Sequence, residues 1–185
     1  MTSIANLHAD STTIVLGSLF FYQLDADSPV RIIGVIDGLQ RNTVHGFHVH
    51  RDSLMNGELN CTAAGPHFNP YNTLHGPPEA DLTHRHVGDL GNLTANDVGV
   101  IIVELSDGII DLYNATRSIA NRTVVLHAMR DDGGKGGFPD SNTTGNAGAR
   151  LACGVISLPM QDFDKKPHSL KGSTSVTNLF RKLFT

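Results

Sequence analysis

The sequence predicts an all-β fold, a sandwich or barrel, from its short β-rich runs, the turn residues between them and the lack of helical periodicity. TTIVLGSLFFY, VRIIGVI, VGVIIVEL, IIDLY, TVVLH and LACGVIS are dominated by Val, Ile, Thr and Phe, side chains that fit a pleated, half-buried surface. The clusters DADSP, DG, LGN, ANDVG and DDGGKGG stand between them and supply the backbone conformations that tight turns require. Before residue 170 no segment longer than about ten residues holds a helical period. Many short strands with Gly, Asp and Asn turns indicate two packed sheets or a closed one.

Two stretches interrupt this rhythm. Residues 51–92 and 128–149 are rich in Gly, Pro and Asn and poor in strand patterning. Loops of this length inside a compact domain usually carry function. Histidines and aspartates crowd both. From residue 160 the composition shifts again, with five basic against two acidic side chains.

The 185 residues, 39% apolar, suffice for one domain with a single core. A formal charge of −4 leaves no surplus of Lys and Arg to neutralise phosphates, which argues against nucleic acid as a partner. MTSIANLHAD lacks the basic and apolar regions of a signal peptide, and no run reaches the ~18 apolar residues of a membrane span. The cytoplasm is the expected compartment. The sequons at Asn60, Asn92, Asn114, Asn121 and Asn142 are then read as loop composition alone. Cys61 and Cys153 are the only cysteines, and in a reducing cytosol they read first as two unrelated buried thiols.

The candidate chemistry lies in the ten histidines, seven of them between residues 45 and 86. HGFHVHRDS opens the cluster. HVHRDS stops one residue short of the HxHxDH run of zinc hydrolases, with Ser53 in place of the last His. On a strand, residues two apart share a face, so His48 and His50 point together and His45 lies on the opposite phase. His127, closing TVVLH, offers a third nitrogen. The loop from Gly65 to Asn92 adds His67, His75, His86 and Asp89. Four imidazoles suit Cu(II); three imidazoles and a carboxylate suit a closed tetrahedral Zn(II) site. Both sets together need one histidine to serve twice, and arithmetic alone does not say which.

GFHVH, GPHFNP, RHVGDLGN, DDGGKGG and GNAGARLACGVI occur in the order and approximate spacing of the copper/zinc superoxide dismutases, which the chain resembles over roughly residues 2–158. The resemblance implies an eight-stranded Greek-key barrel with a zinc/disulfide loop and an electrostatic loop. It implies copper on His48, His50, His67 and His127, and zinc on His67, His75, His86 and Asp89, with His67 as the bridge. Asp131 would accept hydrogen bonds from one histidine of each set. Cys61 and Cys153 would form the disulfide, and Arg150 would guide the anion. Gly145 and Gly148 would let the backbone close around the channel. His84, two residues before His86, is a rival zinc ligand that the HVGDLGN context disfavours; His8, His45 and His168 read as structural or surface residues. The implied activity is conversion of two superoxide ions to dioxygen and hydrogen peroxide by Cu(II)/Cu(I) cycling in a homodimer. The alternative is a metal-binding but inactive relative that acts as a decoy or copper carrier.

The chain departs from the family pattern in places. RDSLMNGELN, between His50 and Cys61, is about two residues longer than usual and lies where the family forms its dimer contact. Thr143 stands where many relatives carry a Lys that attracts substrate, leaving Lys135 as a further cation for steering. Ala149 and Leu151 flank Arg150 where chaperone-dependent relatives carry prolines, so a copper chaperone is expected to be dispensable. The expected division is a barrel domain at 1–158 and an extension at 159–185. In that extension Val176, Leu179, Phe180 and Leu183 fall at helical spacing, with Arg181 and Lys182 opposite.

Overall fold

A computed structural model describes residues 1–10 and 14–157; the amphipathic stretch expected at 176–183 lies outside them. Among the described residues the chain forms eight strands: β1 (Thr2–Ala9), β2 (Leu16–Tyr22), β3 (Val30–Asp37), β4 (Val44–His50), β5 (Asp89–Thr94), β6 (Ile101–Asp107), β7 (Thr123–His127) and β8 (Arg150–Val155). Their order in the sheet is β5-β4-β7-β8-β1-β2-β3-β6, and every ladder is antiparallel. The two outer strands, β5 and β6, approach one another, so the sheet curls into a nearly closed barrel. No helix among the described residues is long and apolar enough to cross a membrane.

Alternation decides which side chains fill the barrel. Leu19 and Phe21 from β2, Ile32 and Ile36 from β3, Phe47 and Val49 from β4 and Ile101 and Val103 from β6 pack into one core. On β6 the neighbours Ile102 and Glu104 face outward. Truncating a buried Phe such as Phe47 to Ala would cost about 3–5 kcal/mol.

β4 and β7 depart from alternation, being buried on both faces. Their inner face is core: Phe47 opposes Leu126 and Val49 opposes Val124. Their outer face is roofed by the two long loops. The second loop spans the gap between His127 and Arg150, matching the expected 128–149; the first gives way to β5 at Asp89, three residues before its expected end.

IIDLY does not form the expected strand. Ile110 and Leu112 are buried, which produces strand-like alternation, but Asp111 Oδ1 accepts the backbone N–H groups of Tyr113 and Asn114 at 2.7 and 2.9 Å. The segment is an Asx-type turn whose Ile110 and Leu112 join the core of the barrel. Two strands carried no expectation of their own, β1 and β5, because SIANLHA and DLGNLT mix polar and small residues on their outer faces.

Candidate metal centre

The register of β4 against β7 builds the heart of the site. His48 opposes Val125 and His50 opposes Thr123; His127, two residues past Val125, belongs to the same outer face. A shift in the β4–β5 pairing between Gly46 and His48 lets the strand lie close under the loops. A Cβ at Gly46 would stand 2.9 Å from Ala147 Cβ and 3.1 Å from His48 Cε1, too close for any side chain. His67 then joins through an isolated bridge to His50.

Four ring nitrogens, from His48, His50, His67 and His127, lie within 4.8 Å of one another. Each ring is aimed by its other nitrogen. His48 Nε2 is 2.8 Å from Asp131 Oδ2, His50 Nδ1 is 2.8 Å from the Gly65 carbonyl, and His127 Nδ1 is 3.2 Å from the Gly148 carbonyl. A carbonyl only accepts, so Nδ1 of His50 and of His127 carries the proton and each Nε2 turns a lone pair inward. Those two Nε2 atoms stand 3.2 Å apart.

A second set shares His67. His67, His75, His86 and Asp89 also place one ligand atom each within 4.8 Å of one another. Asp89 Oδ1 lies 2.8 Å from His67 Nδ1 and 3.1 Å from His86 Nδ1, while Oδ2 accepts the backbone N–H of His86 at 2.8 Å. His75 Nδ1 is 3.0 Å from Asp89 Oδ2, yet the direction is wrong for a hydrogen bond. His75 Nε2 is 2.8 Å from Asp131 Oδ1, so Asp131 holds one histidine of each set.

The buried polar inventory tests whether cations fit here. Among the described residues, His48 Nδ1, His67 Nε2 and His75 Nδ1 are buried nitrogens without a hydrogen-bond partner. A buried unsatisfied polar atom costs about 1–3 kcal/mol, and these three belong to the two convergent sets. The donor chemistry, four imidazoles beside three imidazoles and a carboxylate, fits a copper ion beside a zinc ion.

Electrostatics agree for most of the set. Burial, reinforced by neighbouring imidazoles, pushes His50 and His127 well below their ordinary value. Burial and His48 push His67 down to about 3 against the pull of Asp89. All three are therefore neutral, the ligating form. His75 differs: burial opposes its charge, but the hydrogen bond to Asp131 and the adjacent Asp89 carboxylate prevail and raise it to about 9. Burial acts against charge on Asp89 and Asp131 too, and their histidine partners overcome it, holding both carboxyls below the usual range.

The family model described as copper/zinc superoxide dismutase matches residues 15–156. The chain belongs to the copper/zinc superoxide dismutase family. It is 47% identical over 157 residues to "Superoxide dismutase [Cu-Zn]" of Candida albicans, covering 84% of this chain and 97% of the relative. It is also 47% identical over 156 residues to "Superoxide dismutase [Cu-Zn] 1" of Debaryomyces hansenii, with the same coverage. The protein is accordingly an oxidoreductase with copper and zinc cofactors that dismutes superoxide.

The remaining site residues fall around these two sets. Arg150, partly buried, donates from Nη1 to the Cys61 carbonyl at 2.5 Å and from Nη2 to the Gly65 carbonyl at 2.6 Å. Cys61 and Cys153 are joined by a disulfide. Thr143 is exposed beside a cleft that His67, His86, Arg51 and Arg122 also line, and Lys135 is exposed. His84 stays outside the zinc set, exposed and paired with Asp81 at 2.9 Å. A Cβ at Gly145, whose φ is +66°, would strike Asp131 Oδ1 and His75 Nε2.

Two supporting residues, Asn92 and Arg85, escaped the sequence reading, and a third, His45, is one it assigns only to structure or surface. Asn92, treated only as a sequon, bonds the backbone of Asp131 from both sides. Arg85 is buried and donates to the carbonyls of Pro78, His86 and Val87 and to Asp107, anchoring the loop that carries His86. His45, buried, lies 2.8 Å from the His127 carbonyl through Nδ1 and 2.7 Å from Thr43 Oγ1 through Nε2. A buried cation such as Arg85 has no signature apart from its tertiary partners.

Proposed function

We propose that His48, His50, His67 and His127 hold the copper and that His67, His75, His86 and Asp89 hold the zinc, with His67 common to both. The observation that carries this assignment is His67 itself: Nδ1 faces Asp89 while buried Nε2 has no hydrogen-bond partner. Bound copper supplies the one-electron Cu(II)/Cu(I) cycling that turns two superoxide ions into dioxygen and hydrogen peroxide.

The chain's own residues do the rest. His67 Nε2, buried and without a hydrogen-bond partner, would be the atom that holds and hands on a proton for the peroxide product. Asp131 keeps a proton on His48 Nε2 and His75 Nε2, fixing which nitrogen of each ring is free to ligate. Arg150 has five N–H groups in a rigid fork; two are spent on the Cys61 and Gly65 carbonyls, and the others are available to draw in a small anion.

We also propose residues 1–158 as the dismutase domain, 159–185 as an extension, a homodimer as the assembly and the cytoplasm as the compartment. Exposed Met55 and Leu59 beside the buried Leu54–Cys61–Cys153 cluster support a dimer contact through the 51–60 loop. Ala149 and Leu151 support maturation without a dedicated copper chaperone; inactive product from chaperone-deficient cells with ample copper would count against it. Metal analysis of purified protein with a superoxide-consumption assay tests the whole reading. Copper, zinc and activity together are expected; zinc alone without activity would overturn it.

A further inference from the structure

We infer that reduction of the Cys61–Cys153 bond uncovers a third metal site, formed by His8 Nε2 and the two cysteine sulfurs and suited to a thiophilic ion such as Zn(II) or Cu(I). His8 takes no part in the copper or zinc sets. It is directly opposite Cys153 in the β1–β8 ladder, and its Nε2 lies 3.7 Å from Cys153 Sγ. The three ligand atoms lie within 4.8 Å of one another.

The ring is already turned for ligation. His8 Nδ1 is 3.2 Å from the Ala9 carbonyl, which can only accept, so Nδ1 bears the proton of the neutral imidazole and Nε2 carries the lone pair. A disulfide sulfur has no hydrogen to offer it, whereas a thiolate beside it completes a mixed nitrogen–sulfur donor pair. Around a tetrahedral zinc-like ion, with Zn–S near 2.3 Å and Zn–N near 2.0 Å, a nitrogen and a sulfur sit about 3.6 Å apart. His8 and Cys153 are thus already at ligand spacing, and one side-chain rotation at Cys61 supplies the third donor. Two thiolates and an imidazole select Zn(II) or Cu(I) over hard cations.

The chemistry balances with a dithiol reductant. It gives two electrons and two protons to the sulfur–sulfur bond, becomes a disulfide itself and leaves Cys61 and Cys153 as thiols. Binding a cation then displaces the two thiol protons. Both cysteines are fully buried while bonded, and the 51–60 loop that leads into Cys61 gives the ion its way in once the bond is cut.

The test uses the copper- and zinc-loaded protein. A phosphine cleaves the disulfide, itself oxidised by oxygen from water, and leaves copper as Cu(I). Co(II) chloride is then titrated as the probe, read by the near-ultraviolet charge-transfer absorption of thiolate-bound cobalt and by elemental analysis. One equivalent with thiolate absorption is expected in the reduced protein and none in the oxidised protein. His8→Gln should weaken that equivalent by at least about ten-fold, the loss that follows even from removing a ligand's outer partner, and Cys153→Ser should abolish the absorption. No thiolate absorption, absorption unchanged in His8→Gln, or cobalt uptake matched by zinc release would each overturn the inference.

Discussion

Asn92 clasps Asp131 by the backbone: its Nδ2 donates to the Asp131 carbonyl at 2.9 Å, and its Oδ1 accepts the Asp131 N–H at 2.8 Å. The clamp reaches from β5 to the loop after β7 and sets where the Asp131 carboxylate stands. That carboxylate orients His48 and His75, one from each metal set. Asn92→Ala should therefore weaken both metals, within the 10–100-fold range seen for outer partners of ligands, while Asn92→Asp, which still accepts the Asp131 N–H but cannot donate to its carbonyl, should fall between. Competition against a chelator for each metal checks this; unchanged zinc affinity in Asn92→Ala would sink it.

His127 belongs to one set only. Its replacement by Ala should abolish activity and most copper binding while zinc stays bound. Metal titration with each ion in turn is the measurement, and equal loss of both metals would refute the division of ligands.

The face shared by His48 and His50 is legible in the sequence because strand period is strict; β3, β6 and β7 are legible because β-branched side chains fill them, and β2 and β8 as short apolar runs between turn residues. IIDLY misleads because a turn that buries Ile110 and Leu112 alternates just as a strand does. The loop residues have no period to read: His75, His86 and Asp89 reach one another through turns, and only resemblance to a family groups them. Asn92 acts through main-chain atoms distant in sequence, and His8 is defined by a neighbour across the β1–β8 ladder. No local pattern encodes either relationship.

Cys61 and Cys153 are 92 residues apart in sequence. A closed loop of that size is worth about 4–5 kcal/mol in the chain-entropy account. Cys61→Ser with Cys153→Ser should lower stability by several kcal/mol on that scale and loosen the 51–60 loop. Arg150 should lose activity as well, since its Nη1 rests on the Cys61 carbonyl. Chemical denaturation of the metal-loaded protein gives the stability difference; a change under about 1 kcal/mol would show that the loop is already closed by other contacts.

The metal-free protein should be most stable near pH 6.5. His75 is raised from 6.5 to about 9, so its contribution is full below 6.5 and is lost as pH rises through 9. His67 is lowered to about 3, and His50 and His127 are lowered as well. For these three the unfolded chain binds more protons below 6.5, so stability falls as pH drops from there. Asp89 and Asp131, both depressed, add a further loss below the usual carboxylate range. Calorimetry of metal-free protein across pH should trace this dome. Zinc loaded through His75 must expel its proton, which makes zinc affinity rise with pH up to about 9; a monotonic stability curve through neutrality would contradict the His75 assignment.

A protein of net charge −4 repels superoxide at long range, so rapid capture needs a local positive field. Arg150 provides it at the Cys61 and Gly65 carbonyls, and exposed Lys135 extends it along the loop. Thr143, exposed and bonded only to its own turn through the Asp140 carbonyl at 3.0 Å, adds no charge to the rim that Arg51 and Arg122 share with His67. Charged clefts raise on-rates by about 10–10³ and lose the gain as salt screens them. Thr143→Lys should therefore raise the low-salt rate a few-fold and steepen its salt dependence. Near 1 M salt, where the screening length is about 3 Å, the variant and the parent should converge. Arg150→Ala should cost more than Thr143→Lys gains, because in the proposed assignment Arg150 meets the anion at the end of its path rather than along it. Stopped-flow decay of superoxide over a range of ionic strength separates the two. An unchanged or lower low-salt rate in Thr143→Lys would place the substrate's approach elsewhere than the rim between His67 and Thr143.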